Sequence, residues 1–111
     1  MAGFVFNASG PKDVTYEQLI TIAQSGSAAI VMKSCTIEPR QGNEEPRYAF
    51  LNSPYGSINS MGLPNLGYKE YVTFAAKLKK ECKKPVVASL AGLTPDDFPI
   101  LVKAFQESEA D

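Results

Sequence analysis

Two short stretches limit what this chain can become. Ala28–Met32 and Val86–Leu90 are nearly continuous apolar runs. A strand with one wet face alternates apolar and polar residues. These runs do not, so each reads as a strand covered on both faces, the habit of a parallel sheet. Each also stops abruptly, the first in Lys33-Ser34-Cys35-Thr36 and the second in Ala91-Gly92. A third apolar run, Phe4-Val5-Phe6, gives way to Asn7-Ala8-Ser9-Gly10-Pro11 and reads as a strand followed by a small-residue loop.

Helices are expected between and after these runs. Thr15 with Gln18 three residues on makes a capping box, and Val14 and Leu19 stand at the positions of a hydrophobic staple. Tyr16, Leu19, Ile20 and Ala23 would form its apolar face, and Gly26 would end it. A second helix is expected from about Tyr68 to Lys83, with Tyr68, Tyr71, Val72, Ala75, Leu78 and Cys82 on one face and Pro85 as the stop. Lysines crowd its last turns, which suits the helix dipole and reads as a solvated face. Thr94-Pro95-Asp96-Asp97 opens a third helix, whose first regular turn belongs nearer Asp97 because Pro99 lacks an amide hydrogen. Phe98, Leu101, Val102 and Phe105 share its apolar face.

Between Ile37 and Gly67 no regular core element is expected. Pro39, Gly42-Asn43, Pro46 and Pro54-Tyr55-Gly56 interrupt this region, and Tyr48–Leu51 reads as a short strand inside it. Some 30 such residues in a compact domain suggest a functional excursion. Ser57–Leu66 (Ser-Ile-Asn-Ser-Met-Gly-Leu-Pro-Asn-Leu) fits neither a helix nor a strand and reads as a shaped loop. It is either a ligand loop, with the amides of Met61, Gly62 and Leu63 forming a nest for an anion or carbonyl oxygen, or a plain connection.

The order βαβ, long loop, αβα implies an α/β fold with a parallel sheet and helices outside it. Two architectures compete: a small doubly wound sheet, or the first part of a (β/α)8 TIM barrel. A barrel needs about 250 residues, so 111 residues would supply only its N-terminal portion. In both, ligands bind at the carboxyl ends of the strands. Asn7–Gly10, Lys33-Ser34, Ala91-Gly92 and the loop around Asn59–Leu63 should therefore converge.

Composition excludes several function classes. At 44% hydrophobic and 21% charged the chain reads as globular and soluble. A formal net charge of -1 argues against a general nucleic-acid binder, and no apolar run is long enough for a membrane span. The N-terminus lacks the order of a signal peptide, so a cytoplasmic protein is expected. Cys35 and Cys82 have no CxxC spacing and no histidine to help them, which argues against a zinc site and for free thiols. There is no P-loop, no GxGxxG and no Ser/His/Asp set.

Lys33 is the most informative single residue. A buried lysine is costly unless paired, so it either meets an anion or carries its head to water along its stem. Ser9 and Gly10 could donate to a phosphate or a ring heteroatom, or simply turn the chain. Asn59 offers both donors and an acceptor to an amide or imide edge.

Together, Asn7–Gly10, Lys33-Ser34-Cys35-Thr36, Pro39-Arg40 with Gly42-Asn43, Pro46-Arg47-Tyr48 and Ser57–Gly67 resemble dihydroorotate dehydrogenase, most closely its soluble class 1A. The resemblance runs over essentially the whole chain. It implies an FMN barrel that oxidises dihydroorotate to orotate in pyrimidine synthesis, with fumarate as electron acceptor and a homodimer as the assembly. It places Ala8, Ser9, Gly10, Lys33 and Ser34 against the flavin. It places Lys33, Asn59, Met61, Gly62 and Leu63 against dihydroorotate or orotate: Lys33 and the three amides on the carboxylate, Asn59 on the pyrimidine. It also implies that the catalytic cysteine lies beyond Asp111, along with the rest of the barrel; neither Cys35 nor Cys82 matches it. Two other readings remain open from the residues: a flavin barrel acting on another pyrimidine, similar to dihydropyrimidine dehydrogenase, and a non-catalytic module binding a pyrimidine or anion.

Overall fold

A computed structural model describes residues 3–52 and 56–111; Pro54 and Tyr55, expected in the irregular region, lie outside them. The elements in order are α1 (Tyr16–Gln24), β1 (Ile30–Val31), β2 (Tyr48–Phe50), β3 (Ser57–Asn59), α2 (Tyr68–Glu81), β4 (Val86–Val87) and α3 (Asp97–Gln106). β1 and β4 pair in parallel, Ile30 with Val86 and Val31 with Val87. A parallel bridge between Cys35 and Leu90 extends the pairing toward the carboxyl ends. β2 and β3 form an antiparallel hairpin, with Ala49 opposite Ile58. The fold is mixed α/β.

The core gathers where the sequence pattern placed it. Leu19 of α1, Ile30 of β1, Tyr71, Phe74, Ala75 and Leu78 of α2, Val86 of β4, and Leu101 and Phe105 of α3 are buried together with Met32 and Cys35. Phe74 joins this face although the apolar spacing did not single it out; its ring meets that of Tyr71 edge-on at 5.6 Å and that of Tyr16 at a tilt at 5.3 Å. Tyr68, Val72 and Cys82 pack only partly against the core. On α3, Phe98 and Val102 remain exposed. Both cysteines are free thiols. Among the described residues no helix is long and apolar enough to cross a membrane.

Local signals set the helix starts. The Thr15 hydroxyl accepts from the Gln18 amide, and the Gln18 side chain accepts from the Thr15 amide, so the capping box is formed. α3 begins at Asp97. Its carboxylate accepts from the Leu93 amide at 2.7 Å and the Thr94 hydroxyl at 2.9 Å, which ties the preceding turn to the first helical residue.

Four expectations need correction. Phe4–Phe6 is not a strand: Val5 accepts one hydrogen bond, from the Ala28 amide, and the Asn7 side chain then takes both main-chain groups of Val31. A side chain thus replaces the ladder. Gly26 does not end α1, which finishes at Gln24 with Ser25 extended; the Ser25 amide and hydroxyl both donate to the Ile22 carbonyl. α2 ends at Glu81, short of Lys83, because Cys82 is extended. Ser57–Asn59, read as the start of a loop, is a strand, because its partner Tyr48–Phe50 supplies a ladder that three residues cannot announce alone.

Candidate functional site

Beyond β3 the chain turns through Met61-Gly62-Leu63, and both Gly62 (φ 74°) and Leu63 (φ 56°) have positive φ. Positive φ is uncommon for a residue with a side chain and persists only where surroundings enforce it. Here they do. The Met61 carbonyl accepts from the Asn43 amide at 3.0 Å. The Gly62 carbonyl accepts from Arg40 Nε at 3.2 Å, and the Leu63 carbonyl from Asn65 Nδ2 at 3.0 Å. Three carbonyls in a row are thus tied down on one side. The amides of the same three residues have no acceptor among the described residues. Space enforces the shape too: a Cβ on Gly62 would sit 2.5 Å from the Asn43 amide nitrogen.

Asn65 is the post that holds this loop to the core. It is 3% exposed. Its Oδ1 accepts from the Thr36 amide at 3.2 Å and the Gly67 amide at 2.9 Å, while its main chain pairs with Arg40 in both directions. The stretch after β1, the loop and the start of α2 therefore meet at one side chain.

The turn faces a cavity of about 280 Å³ lined by Gly10, Pro11, Lys33, Asn59, Met61, Gly62, Leu63 and Pro64. Lys33, Asn59, Met61, Gly62 and Leu63, singled out from the sequence, thus share one cavity with Gly10. Lys33 is 8% exposed and forms no hydrogen bond or ion pair among the described residues. The side chain of Asn59 is exposed and has no hydrogen-bond partner among the described residues. The arrangement presents one cation, three amide hydrogens and one carboxamide to a small concave space. Such donors suit a carboxylate, with an amide or imide edge beside it.

Ser9 and Ser34 lie outside that lining and bond to each other. The Ser34 amide donates to Ser9 Oγ at 2.7 Å, and the two hydroxyls share a hydrogen bond of 2.9 Å. Ser34 Oγ shares another, of 2.8 Å, with Ser89 Oγ. Three hydroxyls carry three hydrogens and this chain uses two, so one remains to donate outward. Ala8 is exposed beside it. Of the remaining strand ends, Ala91-Gly92 does not join the cavity; Gly92 lies under the Phe98 ring instead.

Sequence reasoning missed Ser89 and Asp13. Ser89 sits within an apolar run, where its one polar atom was the only signal. Asp13 is 1% exposed; its Oδ2 accepts from the Gly10 amide at 2.8 Å, and its Oδ1 is buried without a partner. Burial pushes its carboxyl above the ordinary value, against the pull of the Gly10 amide and the Lys33 charge.

Comparison with known proteins agrees with the motifs. The family model for dihydroorotate dehydrogenase matches residues 1–111. A dihydroorotate dehydrogenase (fumarate) of Trypanosoma cruzi is 46% identical over 97 residues, 87% of this chain and 30% of that protein. A putative dihydroorotate dehydrogenase A (fumarate) of Streptococcus pyogenes is 42% identical over 106 residues, 95% of this chain and 33% of its own length. A probable dihydroorotate dehydrogenase A (fumarate) of Enterococcus faecalis is 41% identical over 110 residues, 98% of this chain and 35% of its own. The chain thus spans about a third of the length of the curated relatives it matches. With the family model covering every residue of a chain whose loop, lysine and asparagine share one cavity, this chain belongs to the dihydroorotate dehydrogenase family.

Proposed function

We propose that this chain contributes the N-terminal portion of a (β/α)8 barrel that binds FMN and oxidises dihydroorotate to orotate, with fumarate as the electron acceptor. The observation that carries this reading is the cavity in which Lys33, Asn59 and the unpaired amides of Met61, Gly62 and Leu63 meet. The acceptor follows from the relatives, each named as a fumarate-type dihydroorotate dehydrogenase. A cytoplasmic homodimer is part of the same proposal.

The residues divide the work by chemistry. Lys33 and the three amides bind the substrate carboxylate; a buried cation and several N–H donors favour a charged acceptor strongly. Asn59 pairs with the pyrimidine edge and fixes which ring face is presented. At about 280 Å³ the cavity lies just below the usual range of ligand pockets, roughly 300–1,000 Å³, which suits a ligand as small as a single pyrimidine. Ala8, Ser9, Gly10, Lys33 and Ser34 would hold the flavin. The outward hydrogen of the Ser9–Ser34–Ser89 chain and the small side chains at Ala8 and Gly10 fit a flat heterocycle that needs donors at its rim and close approach along its face. When bound, the flavin supplies the redox chemistry, and the protein orients the substrate against it. The family resemblance implies a cysteine base outside these residues, and neither thiol here suits that role: burial pushes Cys35 up to about 11, and Cys82 caps α2.

The test is a titration of the full-length protein with orotate, followed by flavin absorbance, beside steady-state assays offering fumarate, NAD or a quinone. A yellow protein whose spectrum responds to orotate, and which turns over with fumarate alone, is the expected result. Absence of flavin or of any orotate response would refute the reading.

A further inference from the structure

Asp13 is a buried carboxylate that the proposed chemistry does not use. It does not line the cavity, yet it is hydrogen-bonded to one residue that does, Gly10, and feels the charge of another, Lys33. Its Oδ2 holds the Gly10 amide at 2.8 Å, and Lys33 is the cation whose field reaches it. Its Oδ1 is buried without a partner among the described residues, a rare and costly state for a carboxylate oxygen. Lys33 is itself 92% buried by its 8% exposure and lacks an anion within 4 Å among the described residues. The site therefore holds a cation short of an anion beside a carboxylate short of a donor.

An anion arriving at Lys33 changes the balance. It takes over the field of the ammonium and brings a second negative charge close to Asp13. Two carboxylates in one dry site cannot both stay ionised cheaply. We propose that Asp13 takes up a proton from solvent when an anion binds at Lys33, so that anion binding and proton binding are coupled. The proton goes to Oδ1, the oxygen that has no partner. A neutral carboxyl is far cheaper to bury in this state than a bare carboxylate. The inference rests on the anion site proposed at Lys33.

The groups around Asp13 leave it as the one that titrates. Lys12, its chain neighbour, is exposed. Tyr71 on α2 faces it, but burial pushes that phenol up to about 12, and its hydroxyl already donates to the Val14 carbonyl at 3.0 Å. Cys35, beyond the end of β1, is pushed by burial up to about 11. Glu70 acts on Tyr71 from the exposed side of α2. Burial already raises the Asp13 carboxyl above its ordinary value, and the charge of an arriving anion acts in the same direction.

The experiment uses full-length holoenzyme and orotate. The dissociation constant is read from flavin absorbance between about pH 5.5 and about pH 8. Orotate should bind more tightly as pH falls, toward a limit of about tenfold per pH unit, the slope for one proton taken up. Asp13→Asn should bind orotate with little pH dependence. Calorimetry of the parent in two buffers of different ionisation heat counts the proton directly and serves if the variant does not fold. A flat profile with no proton uptake overturns this inference and leaves the proposed function standing. A variant that keeps the parent's slope overturns it too, since the proton then goes elsewhere. Orotate that binds the parent at no pH overturns both readings.

Discussion

Lys33 ends an apolar strand, and the cost of burying its charge must be met by something outside the strand. The cavity offers a place for that anion, and under the proposed function turnover depends on the ammonium. Lys33→Ala in full-length protein should cut turnover at least about tenfold, the loss of ~1.4 kcal/mol of transition-state stabilisation. Unchanged kcat and KM would remove Lys33 from the site. Asn59 makes a different demand, because it contributes a hydrogen-bonding edge and no charge. Asn59→Ala should weaken orotate by about 1–3 kcal/mol, the cost of leaving polar groups unpaired, with flavin content little changed. Equal orotate affinity in variant and parent would refute that pairing. Asp13 bears on stability as well. Its carboxyl is raised in the folded state, so the stability it contributes is full below its unfolded value and is lost as pH rises through its folded value. Asp97 and Asp111 are lowered, the former mainly by the Leu93 amide and the latter mainly by Lys79, and they act in the opposite sense. Asp13→Asn isolates the first contribution. In urea denaturation, the parent should lose stability relative to the variant as pH rises above about 3.9, the ordinary carboxylate value. A constant difference would show that Asp13 does not titrate there.

At the scale of elements, what was legible in the sequence was local. The Thr15–Gln18 box, the Asp97 start and the apolar face of α2 each depend on residues within one or two turns, and all are formed. What was illegible joins distant residues. Asn65 meets Thr36 across 29 residues, and Ser34 meets Ser89 across 55. No period or cap records such a meeting. The β2–β3 hairpin was half read for the same reason: Tyr48–Phe50 has strand chemistry, whereas Ser57–Asn59 becomes a strand only opposite it. For the candidate site, Lys33 stood out by contrast with its strand, and the donors of Met61–Leu63 by the glycine and proline around them. The residues that restrain that turn, Asn43 and Asn65, had no such contrast. Asn65 is therefore a test of how the loop is held. Asn65→Ala would leave the Thr36 and Gly67 amides buried without their acceptor and release the Leu63 carbonyl. At about 1–3 kcal/mol for each buried orphan, the variant should lose roughly 2–5 kcal/mol by denaturation, and orotate affinity with it. A loss under about 0.5 kcal/mol, within the range of neutral surface changes, would mean that the loop is held by other contacts.

The whole molecule is flat. It measures 44 × 36 × 21 Å, with a radius of gyration of 15.0 Å against about 13 Å for a compact chain of this length. The thin dimension goes with open apolar edges. Phe4, Val5 and Phe6 are exposed beside β1, and Val87 of β4 is 36% exposed. On the far side, Phe98, Ile100 and Val102 of α3 are exposed as well. Strands whose composition demands cover on both faces have it on one here, and among the described residues β4 has a strand partner only in β1. Uncovered parallel edges of this kind invite pairing with other chains. Residues 1–111 expressed alone should therefore give no cooperative melt, no bound flavin and no dihydroorotate oxidation, and should aggregate on warming. Supplying the further strands of the proposed barrel, on the same polypeptide or as a second fragment, should restore all three properties together, because closing such a sheet would cover both edges at once. Calorimetry, flavin absorbance and dye reduction with dihydroorotate measure them. A cooperative transition with flavin and turnover in the isolated segment would show that this flat unit is self-sufficient and sink the barrel proposal.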